Sequence, residues 1–409
     1  MFGDTPLVMI EDDEALATLC AGLMTQEVIG VDTEADSFHH YKEQLCLIQV
    51  SDPEQDYIID PLVIDSLEPL REVLEAPHVV KVLHGGDYDV VSLKRDYGIH
   101  IRNIFDTMIA AQFLALPRIG LADLIYRFFG YTVDKRFQRH DWTRRPLLPE
   151  HLDYARGDTH FLLALREVLS HRLRRAGHLA AHSEECELLE ERVWKRKRDP
   201  AREFYRVKGS KVLKPGGLRI LRALWHFRDE EAQRLDRPAF KVVPDPVLVK
   251  LAQVAPTDED GLHGVIRARS SMTRRYGDKL LTAVAKGLAD ESELPSKKDP
   301  EAEPESRSRP RRTSPSMDRL LGPLKDWRND LVTRRKVSPV VVASNQLLKE
   351  IARAAPTSED ELREVPGIRR WQVRAYGTEL LSIVAGVPAP RKKRRRRRRK
   401  PGTAASPAS

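Results

Sequence analysis

The chain has 409 residues, of which 41% are hydrophobic and 32% are charged, so it is long enough for about two to four domains with real cores. No stretch reaches the ~20 consecutive apolar residues of a membrane span, and the first residues lack the pattern of a secretory signal. The three cysteines are widely spaced and form no C-x-x-C pair, which excludes a disulfide framework or a zinc ribbon and favours a reducing compartment. We therefore expect a cytoplasmic protein.

The net charge of +8 comes from one short segment of the sequence. Residues 391–400 are all lysine or arginine and carry ten positive charges, which leaves the other residues with a net charge of −2. A run of like charges repels itself and buries nothing, so we expect it to be disordered. Such a run binds polyanions in a salt-dependent way, and this predicts a nucleic-acid partner.

The first 190 residues alternate between strand-like and helix-like patterns. Short apolar runs bounded by turn residues predict strands at 7–10, 28–33, 45–50, 57–59, 79–83 and 101–105. Apolar residues at helical spacing predict helices at 13–25, 66–75, 87–97, 107–116, 121–129 and 149–170. The second to fourth strands have short connections that suit an antiparallel meander, whereas the later strand–helix–strand order suits a parallel crossover. The predicted fold is therefore α/β, with a mixed sheet flanked by helices.

Beyond about residue 212 the strand patterns disappear and the sequence repeats itself. Residues 248–285 align without a gap with residues 348–385, at an offset of 100 residues. Identical pairs such as Tyr276 and Tyr376 indicate two copies of one small all-α domain. We place the boundaries as follows: an α/β domain at 1–190, a connecting segment at 191–212, the first helical domain at 213–290, a disordered linker at 291–315, the second helical domain at 316–387 and a disordered basic tail at 388–409.

Two acidic residues, Asp32 and Glu34, stand at the end of the second predicted strand. Side chains alternate along a strand, so residues two positions apart project from the same face. Two carboxylates on one face of a core strand repel each other and lose hydration. The pair is therefore either a strand end that has run into solvent or part of a metal site, and the pair alone does not distinguish these.

Three further residues could join this pair at the same edge of the sheet. Asp89 follows a predicted strand and a turn that Gly85 and Gly86 make possible, and Tyr154 and Asp158 share one helix face because they are four residues apart. Four carboxylates without histidine or cysteine are hard oxygen ligands suited to Mg²⁺ or Mn²⁺. Two such ions would clamp the attacking and leaving oxygens of a phosphodiester and would neutralise the repulsion within the pair.

The spacing of these residues resembles the three motifs of the DEDD 3′–5′ exonuclease superfamily, which are here Asp32-x-Glu34, His84-x4-Asp89 and Tyr154-x3-Asp158. The tyrosine four residues before the last aspartate resembles the DEDDy branch. The sequences of residues 105–107 and 141–147, together with the tandem repeat, resemble the ribonuclease D family, whose repeats are HRDC domains. The resemblance covers about residues 5–386 and implies a ribonuclease H-like exonuclease domain followed by two HRDC domains.

The same resemblance implies a 3′–5′ exoribonuclease that uses two divalent cations, Mg²⁺ or Mn²⁺, and releases nucleoside 5′-monophosphates one at a time. Asp32 would bridge both cations, and Glu34 and Asp158 would complete the shell of the first. Asp89 would hold the second cation, directly or through water, and Tyr154 would position the attacking water and help to deprotonate it. The implied substrates are structured RNAs with single-stranded 3′ ends, such as transfer RNA precursors.

Two alternative functions stay open from the sequence. Two-metal chemistry does not itself distinguish ribose from deoxyribose, so a DNA-directed 3′–5′ exonuclease of the same superfamily is the first alternative. A catalytically inactive nucleic-acid-binding scaffold is the second, and the presence of all five site residues counts against it. A helicase is excluded because the sequence has no G-x-x-x-x-G-K-[ST] loop.

Six further residues are candidates for contact with the substrate: Trp142, Arg144 and Arg145 by stacking and phosphate pairing, and Gly367, Arg369 and Arg370 at a Pro-Gly turn of the second repeat. Packing of its loop against the core is the alternative for Trp142. The first repeat lacks the Pro-Gly pair, which leaves its role open between nucleic-acid contact and packing.

Four polar residues near the motifs have structural interpretations. Asp87 is interpreted as a helix cap, and Asp36 as a loop residue without a role. His84 is interpreted as a buried histidine with a structural hydrogen bond rather than a metal ligand. Asp106 either supports the site or caps the helix that follows it.

Overall fold

The computed structural model describes residues 5–194, 199–296, 315–335 and 337–386. Its two compact units, Met1–Glu305 and Ser306–Ser409, are described separately. The predicted tail at 388–409 and most of the predicted linker at 291–315 lie outside the described residues. Within the described part of the chain, no helix has the length and apolarity needed to cross a bilayer.

The N-terminal domain is built on one six-stranded sheet with the strand order β1-β4-β3-β2-β5-β6. Its strands are β1 (Leu7–Ile10), β2 (Val28–Ala35), β3 (Leu45–Ser51), β4 (Asp56–Ile59), β5 (Val80–Leu83) and β6 (Ile104–Asp106). Strands β2, β3 and β4 form an antiparallel meander, and β5 runs parallel to both β2 and β6. The predicted mixed sheet is therefore confirmed, with β2 at its centre.

Eight helices flank this sheet: α1 (Asp13–Leu23), α2 (Glu68–Glu75), α3 (Asp87–Tyr97), α4 (Thr107–Phe113), α5 (Leu121–Phe129), α6 (Pro149–His160), α7 (Leu162–Ala176) and α8 (Leu179–Glu190). The prediction of one helix over 149–170 is wrong, because α6 ends before Phe161 and α7 begins after it. Helix α6 packs on β2, β3 and β4, whereas α7 packs on β2 and β5, so the helical segment changes direction along the twisted sheet.

Strand β3 lies entirely within the core of this domain. Every residue of β3 is buried, and one side of the sheet packs against α1, α2 and α3 through residues such as Leu16, Leu70 and Leu93. Helix α8, which the sequence patterns did not predict, adds Cys186 and Leu189 to this core. All three cysteines are free and buried, in agreement with the expectation that none forms a disulfide.

In the part of the chain that the structure describes, each repeat of the sequence contributes five α-helices. The helices of the first are α9 (Pro215–Arg234), α10 (Ala239–Val242), α11 (Asp245–Val254), α12 (Glu259–His263) and α13 (Ser271–Ala289), and those of the second are α14 (Pro315–Arg335), α15 (Pro339–Val342), α16 (Asn345–Ala354), α17 (Glu359–Arg363) and α18 (Arg370–Gly386). Arg228 donates to the carbonyl of Val243, and Arg328 donates to the carbonyl of Ala343, both at 3.1 Å. Equivalent residues 100 positions apart thus make the same contact, as expected for a duplicated domain.

Two segments that we predicted to be connecting or disordered are parts of the first helical domain. Phe204 lies in 191–212 and is fully buried in the core of that domain. The residues that follow α13 also pack on it, since Tyr205 donates to the carbonyl of Pro295 at 2.9 Å and Arg219 donates to that of Ser292 at 3.0 Å. The prediction of disorder is therefore wrong for 291–296, because these residues find hydrogen-bond partners on the helical domain.

Candidate active site

Three carboxylates meet at the centre of the sheet. Asp32 and Glu34 project from β2 and Asp158 from α6, and each offers an oxygen atom within 4.8 Å of the other two. All three are partly exposed, so an ion from solvent can reach them. Among the described residues, this is the one group of acids, histidines or cysteines with such geometry. The fold therefore brings together the Asp32-x-Glu34 and Tyr154-x3-Asp158 motifs, which were predicted to share a site.

A glycine in β2 allows α6 to approach the strand. A Cβ atom on Gly30 would lie 3.1 Å from the carbonyl oxygen of Thr159 and 3.3 Å from the Cβ of Leu162. The junction of α6 and α7 consequently packs directly against the backbone of β2. This close contact holds Asp158 beside Asp32.

The fourth acid, Asp89, is held on the other side of β2 by a neighbouring hydroxyl. Thr33 donates to the carboxylate of Asp89 at 2.5 Å, and Asp89 is 6% exposed. Its charge raises the pKa values of both Asp32 and Asp158, so it lies within electrostatic reach of the cluster. Its role as a metal ligand stays a prediction.

The turn that presents Asp89 depends on a glycine and a buried acid. Gly85 adopts φ +68°, a left-handed conformation that is strained for other residues. The carboxylate of Asp106 accepts hydrogen bonds from the backbone N–H of Gly86 at 2.9 Å and from that of Ile109 at 2.8 Å. Asp106 therefore has both of its predicted roles, because it caps α4 and fixes the turn that leads to Asp89.

Burial and mutual repulsion raise the pKa values of these acids. Burial, followed by the charges of Asp89, Asp158 and Glu34, holds the pKa of Asp32 well above its usual value. Burial, followed by the charge of Asp89, raises the pKa of Asp158 to about 7, and burial together with the charge of Asp106 raises the pKa of Asp89 to about 6. The cluster thus holds more negative charge than its surroundings stabilise. An all-carboxylate donor set with this excess charge fits a hard divalent cation.

Comparisons with known proteins agree with this geometry. A family model described as 3′–5′ exonuclease matches residues 7–174, and an HRDC domain model matches residues 217–284 and 317–384. Ribonuclease D of Granulibacter bethesdensis is 31% identical over 385 residues, which cover 92% of this chain and 92% of that protein. The chain belongs to the ribonuclease D family. Family membership and the matched exonuclease domain make it a hydrolase of the 3′–5′ exoribonuclease class.

Two further comparisons show how far this similarity extends. The crystal structure of Escherichia coli RNase D matches 94% of this chain and 100% of that chain, with a TM-score of 0.66 and 26% identity. An exosome complex component 10 homolog of Caenorhabditis elegans is 35% identical over 264 residues, which cover 64% of this chain. This chain spans about a third of the length of that relative, since the match covers 30% of it.

Tyr154 beside the carboxylate cluster keeps its proton at neutral pH. Burial and the charges of Asp158, Glu34 and Asp32 raise the pKa of Tyr154 far above its usual value. Its ring packs at 5.8 Å from that of Trp142, measured between centroids. The hydroxyl therefore keeps its proton and can donate a hydrogen bond towards the carboxylate cluster.

A buried polar network, which sequence patterns did not reveal, fixes the position of α6. Asp56 in β4 accepts hydrogen bonds from Arg156 Nε and His160 Nδ1, both at 2.9 Å, and from the Ser51 hydroxyl at 2.6 Å. Burial alone would raise the pKa of Asp56, but hydrogen bonds from His160, Ser51 and Arg156 hold it below its usual value. Arg156 and His160 are four residues apart and therefore share one face of α6, whereas Asp158, two positions from each, projects from a different face.

Replacing Asp56 with asparagine is expected to lower kcat more than it raises KM. The change removes the charge that holds Arg156 and His160, so α6 and its Asp158 lose their fixed position. We expect the free energy of unfolding, measured with urea, to fall by about 2 kcal/mol. Asp65→Asn, at an exposed acid, is the control. Wild-type kcat in Asp56→Asn would show that this network holds only the fold.

The structure decides between the alternatives for Trp142 and contradicts phosphate pairing by Arg145. Trp142 is 1% exposed and packs against Cys46 and Tyr154, which leaves no free face for a base. The guanidinium of Arg145 donates to both carboxylate oxygens of Asp60, at 2.5 and 2.7 Å. Because Asp60 is fully buried, this pair holds the loop on the core and is not available to substrate.

The other candidates for substrate contact stay predictions. The side chain of Arg144 is 75% exposed, with its Nε 3.3 Å from the carboxylate of Asp141. In the second helical domain, Gly367 is exposed and adopts φ +84°, as a Pro-Gly turn requires. Arg370 is exposed and Arg369 partly exposed beside this turn.

Three polar residues near the motifs have the following surroundings. The interpretation of His84 as a buried histidine with a structural hydrogen bond is confirmed. Its Nδ1 lies 2.9 Å from the Thr107 hydroxyl, and burial lowers the pKa of His84 to about 4. The interpretation of Asp87 is wrong, since the helix cap is Gly86 and Asp87 pairs with Arg192 at the surface. Asp36 is fully buried and accepts from the backbone N–H of Gln44 at 2.8 Å, so it closes the loop 36–44.

Proposed function

We propose that this chain removes nucleotides hydrolytically from RNA 3′ ends and releases nucleoside 5′-monophosphates. In this proposal Asp32, Glu34, Asp89 and Asp158 hold two divalent cations, Mg²⁺ or Mn²⁺. The observation that carries the proposal is the cluster of three carboxylates within 4.8 Å, whose pKa values are raised by burial and mutual repulsion. Such an arrangement is unfavourable without cations and is therefore expected to bind them.

The residues of this chain would contribute to hydrolysis by binding and positioning. When bound, the cations would lower the pKa of water and stabilise the charge that develops on the leaving 3′ oxygen. Tyr154, which keeps its proton, would donate a hydrogen bond that orients the attacking water or the scissile phosphate. The network around Asp56 would keep Tyr154 and Asp158 in place during this step.

We further propose that the substrates are structured RNAs with single-stranded 3′ ends, such as transfer RNA precursors. The matched E. coli RNase D is described as an exoribonuclease involved in structured RNA processing. The two HRDC domains and the basic run 391–400 support additional contact with the RNA backbone. The cytoplasmic location that cysteine usage predicts stays a prediction.

Labelled substrates test the reaction and its polarity. A single-stranded RNA labelled at its 3′ end, and the same RNA labelled at its 5′ end, are incubated with Mg²⁺ or Mn²⁺, with and without EDTA. We expect labelled mononucleotides only from the 3′ label and none with EDTA. Failure to release mononucleotides with either cation would refute the proposal. Equal or faster degradation of a DNA of the same sequence would favour the DNA-directed alternative.

A further inference from the structure

Two exposed phenylalanines meet where the exonuclease domain contacts the first helical domain. Phe38, in the loop 36–44 between β2 and β3, is 45% exposed, and Phe240, in α10, is 48% exposed. Their rings lie edge to face with centroids 6.3 Å apart. Single exposed apolar side chains are common, but two adjoining aromatic rings from different domains form a surface that suits a ligand.

The loop that carries Phe38 is fixed against the first helical domain. Asp236 accepts hydrogen bonds from His40 Nδ1 at 2.8 Å and from the backbone N–H of Tyr41 at 3.1 Å. Asp229 accepts one from the Tyr41 hydroxyl at 3.0 Å. The two rings are therefore held in place before any ligand arrives, which reduces the entropy lost on binding.

One cation contacts the ring of Phe38, and three further cations lie near the two phenylalanines in the chain. The guanidinium of Arg139 lies over the ring of Phe38, 5.6 Å from its centroid. Lys42 in the same loop, and Arg237 and Lys241 beside Phe240 in the chain, are exposed and form no ion pair within the described residues. Aromatic faces interspersed with unpaired cations are typical of surfaces that bind single-stranded nucleic acid, because bases stack on the rings and phosphates meet the charges.

The position of this surface relates it to the carboxylate site. Phe38 follows Glu34 by four residues, so their Cα atoms are at most about 14 Å apart. The helical repeat itself does not require an aromatic residue at position 240, because the second copy has Val340 at the equivalent position. The exposed ring of Phe240 is thus a feature of the copy that contacts the exonuclease domain.

We propose that Phe38 and Phe240 form a base-stacking step for the single-stranded RNA segment that precedes the 3′ nucleotide at the carboxylate site. Arg139, Lys42 and Lys241 neutralise the phosphates of this segment. The inference rests on the proposed function for the identity of the substrate as RNA. It gives the first helical domain a direct role in RNA binding through an aromatic side chain rather than through a Pro-Gly turn.

The alanine variants Phe38→Ala and Phe240→Ala of the full chain test this step. Affinity for a long single-stranded RNA is measured by fluorescence anisotropy in EDTA, and kcat/KM with Mg²⁺ is measured for that RNA and for a dinucleotide. Each variant should bind the long RNA about 5- to 100-fold more weakly and hydrolyse the dinucleotide as the wild type does. Phe240→Trp should retain binding. Tyr126→Ala, which removes a ring that is 64% exposed on α5, is the matched control and should bind normally.

Unchanged affinity of both alanine variants for the long RNA would overturn the proposal, as would an equal loss of activity on the dinucleotide. A change in sedimentation of Phe240→Ala without a change in RNA affinity would mean that the rings cover a protein contact, and this also overturns it. Wild-type protein that binds RNA through these rings but releases no nucleotide would refute the proposed function while supporting the stacking step. The two proposals therefore fail in different ways.

Discussion

Asp32→Asn is expected to lower kcat for RNA hydrolysis by at least about 10³-fold, which corresponds to about 4 kcal/mol of transition-state stabilisation. Asp32 stands between the other acids, since the charges of Asp89, Asp158 and Glu34 all raise its pKa. An amide at this position cannot provide the negative charge that holds a divalent cation against its hydration shell. RNA binding should persist, because the surfaces that we propose to bind RNA do not include this side chain.

The control for this experiment is Asp87→Asn. Asp87 lies two residues from Asp89, but it is exposed and pairs with Arg192 at the surface. We expect wild-type kcat from Asp87→Asn in the same assay with Mg²⁺. If Asp32→Asn retained substantial metal-dependent activity, or if it lost RNA affinity in EDTA as much as activity, the assignment of the carboxylate cluster as the catalytic centre would be wrong.

The second large effect concerns the contribution of the carboxylate cluster to the stability of the metal-free protein, which should fall as pH rises. The folded state raises the pKa of Asp158 to about 7 and that of Asp89 to about 6, from an unfolded value near 4. At these two acids the folded state therefore binds more protons than the unfolded state between these values, and their contribution to stability decreases with pH in that range. We expect this contribution to fall by an amount on the order of 2–4 kcal/mol between pH 5 and pH 7.5, while the lowered pKa values of His84 and His182, about 4, act in the opposite direction.

Urea unfolding of the wild type and of Asp158→Asn in EDTA at these two pH values measures this effect, because the histidines contribute equally to both proteins. The stability of Asp158→Asn relative to the wild type should increase from pH 5 to pH 7.5, and the variant should be more stable at pH 7.5, because it lacks one of the repelling charges. Adding Mg²⁺ at pH 7.5 should stabilise the wild type by mass action and the variant much less. We limit the measurement to pH values below 8 because burial lowers the pKa of Lys81 to about 8. Above that pH, the folded state binds fewer protons at Lys81 than the unfolded state, so stability rises with pH. If Asp158→Asn were less stable than the wild type at pH 7.5 without metal, the inferred charge repulsion within the carboxylate cluster would be wrong.

The amino-acid sequence by itself determined the elements and the acids of the site. Helices α3 and α5 have the predicted bounds, and Asp32 and Glu34 share a face of β2 as the period of two requires. The duplication was equally visible, because a gapless repeat needs no structural information. These features depend on residues that are neighbours within one element, and local periodicity therefore encodes them.

Partners that are distant in the sequence were decided only by the tertiary structure. Trp142 and Arg145 occur in a basic, aromatic segment that suggests RNA contact, yet buried partners such as Asp60 engage them. No glycine or proline at Phe161 indicates the break between α6 and α7. The break occurs because the two helices pack on different parts of the sheet. The contacts of Asp236 with the loop 36–44 join residues almost 200 positions apart. Sequence patterns show which face of an element is polar, but the partner of that face depends on how the whole chain packs.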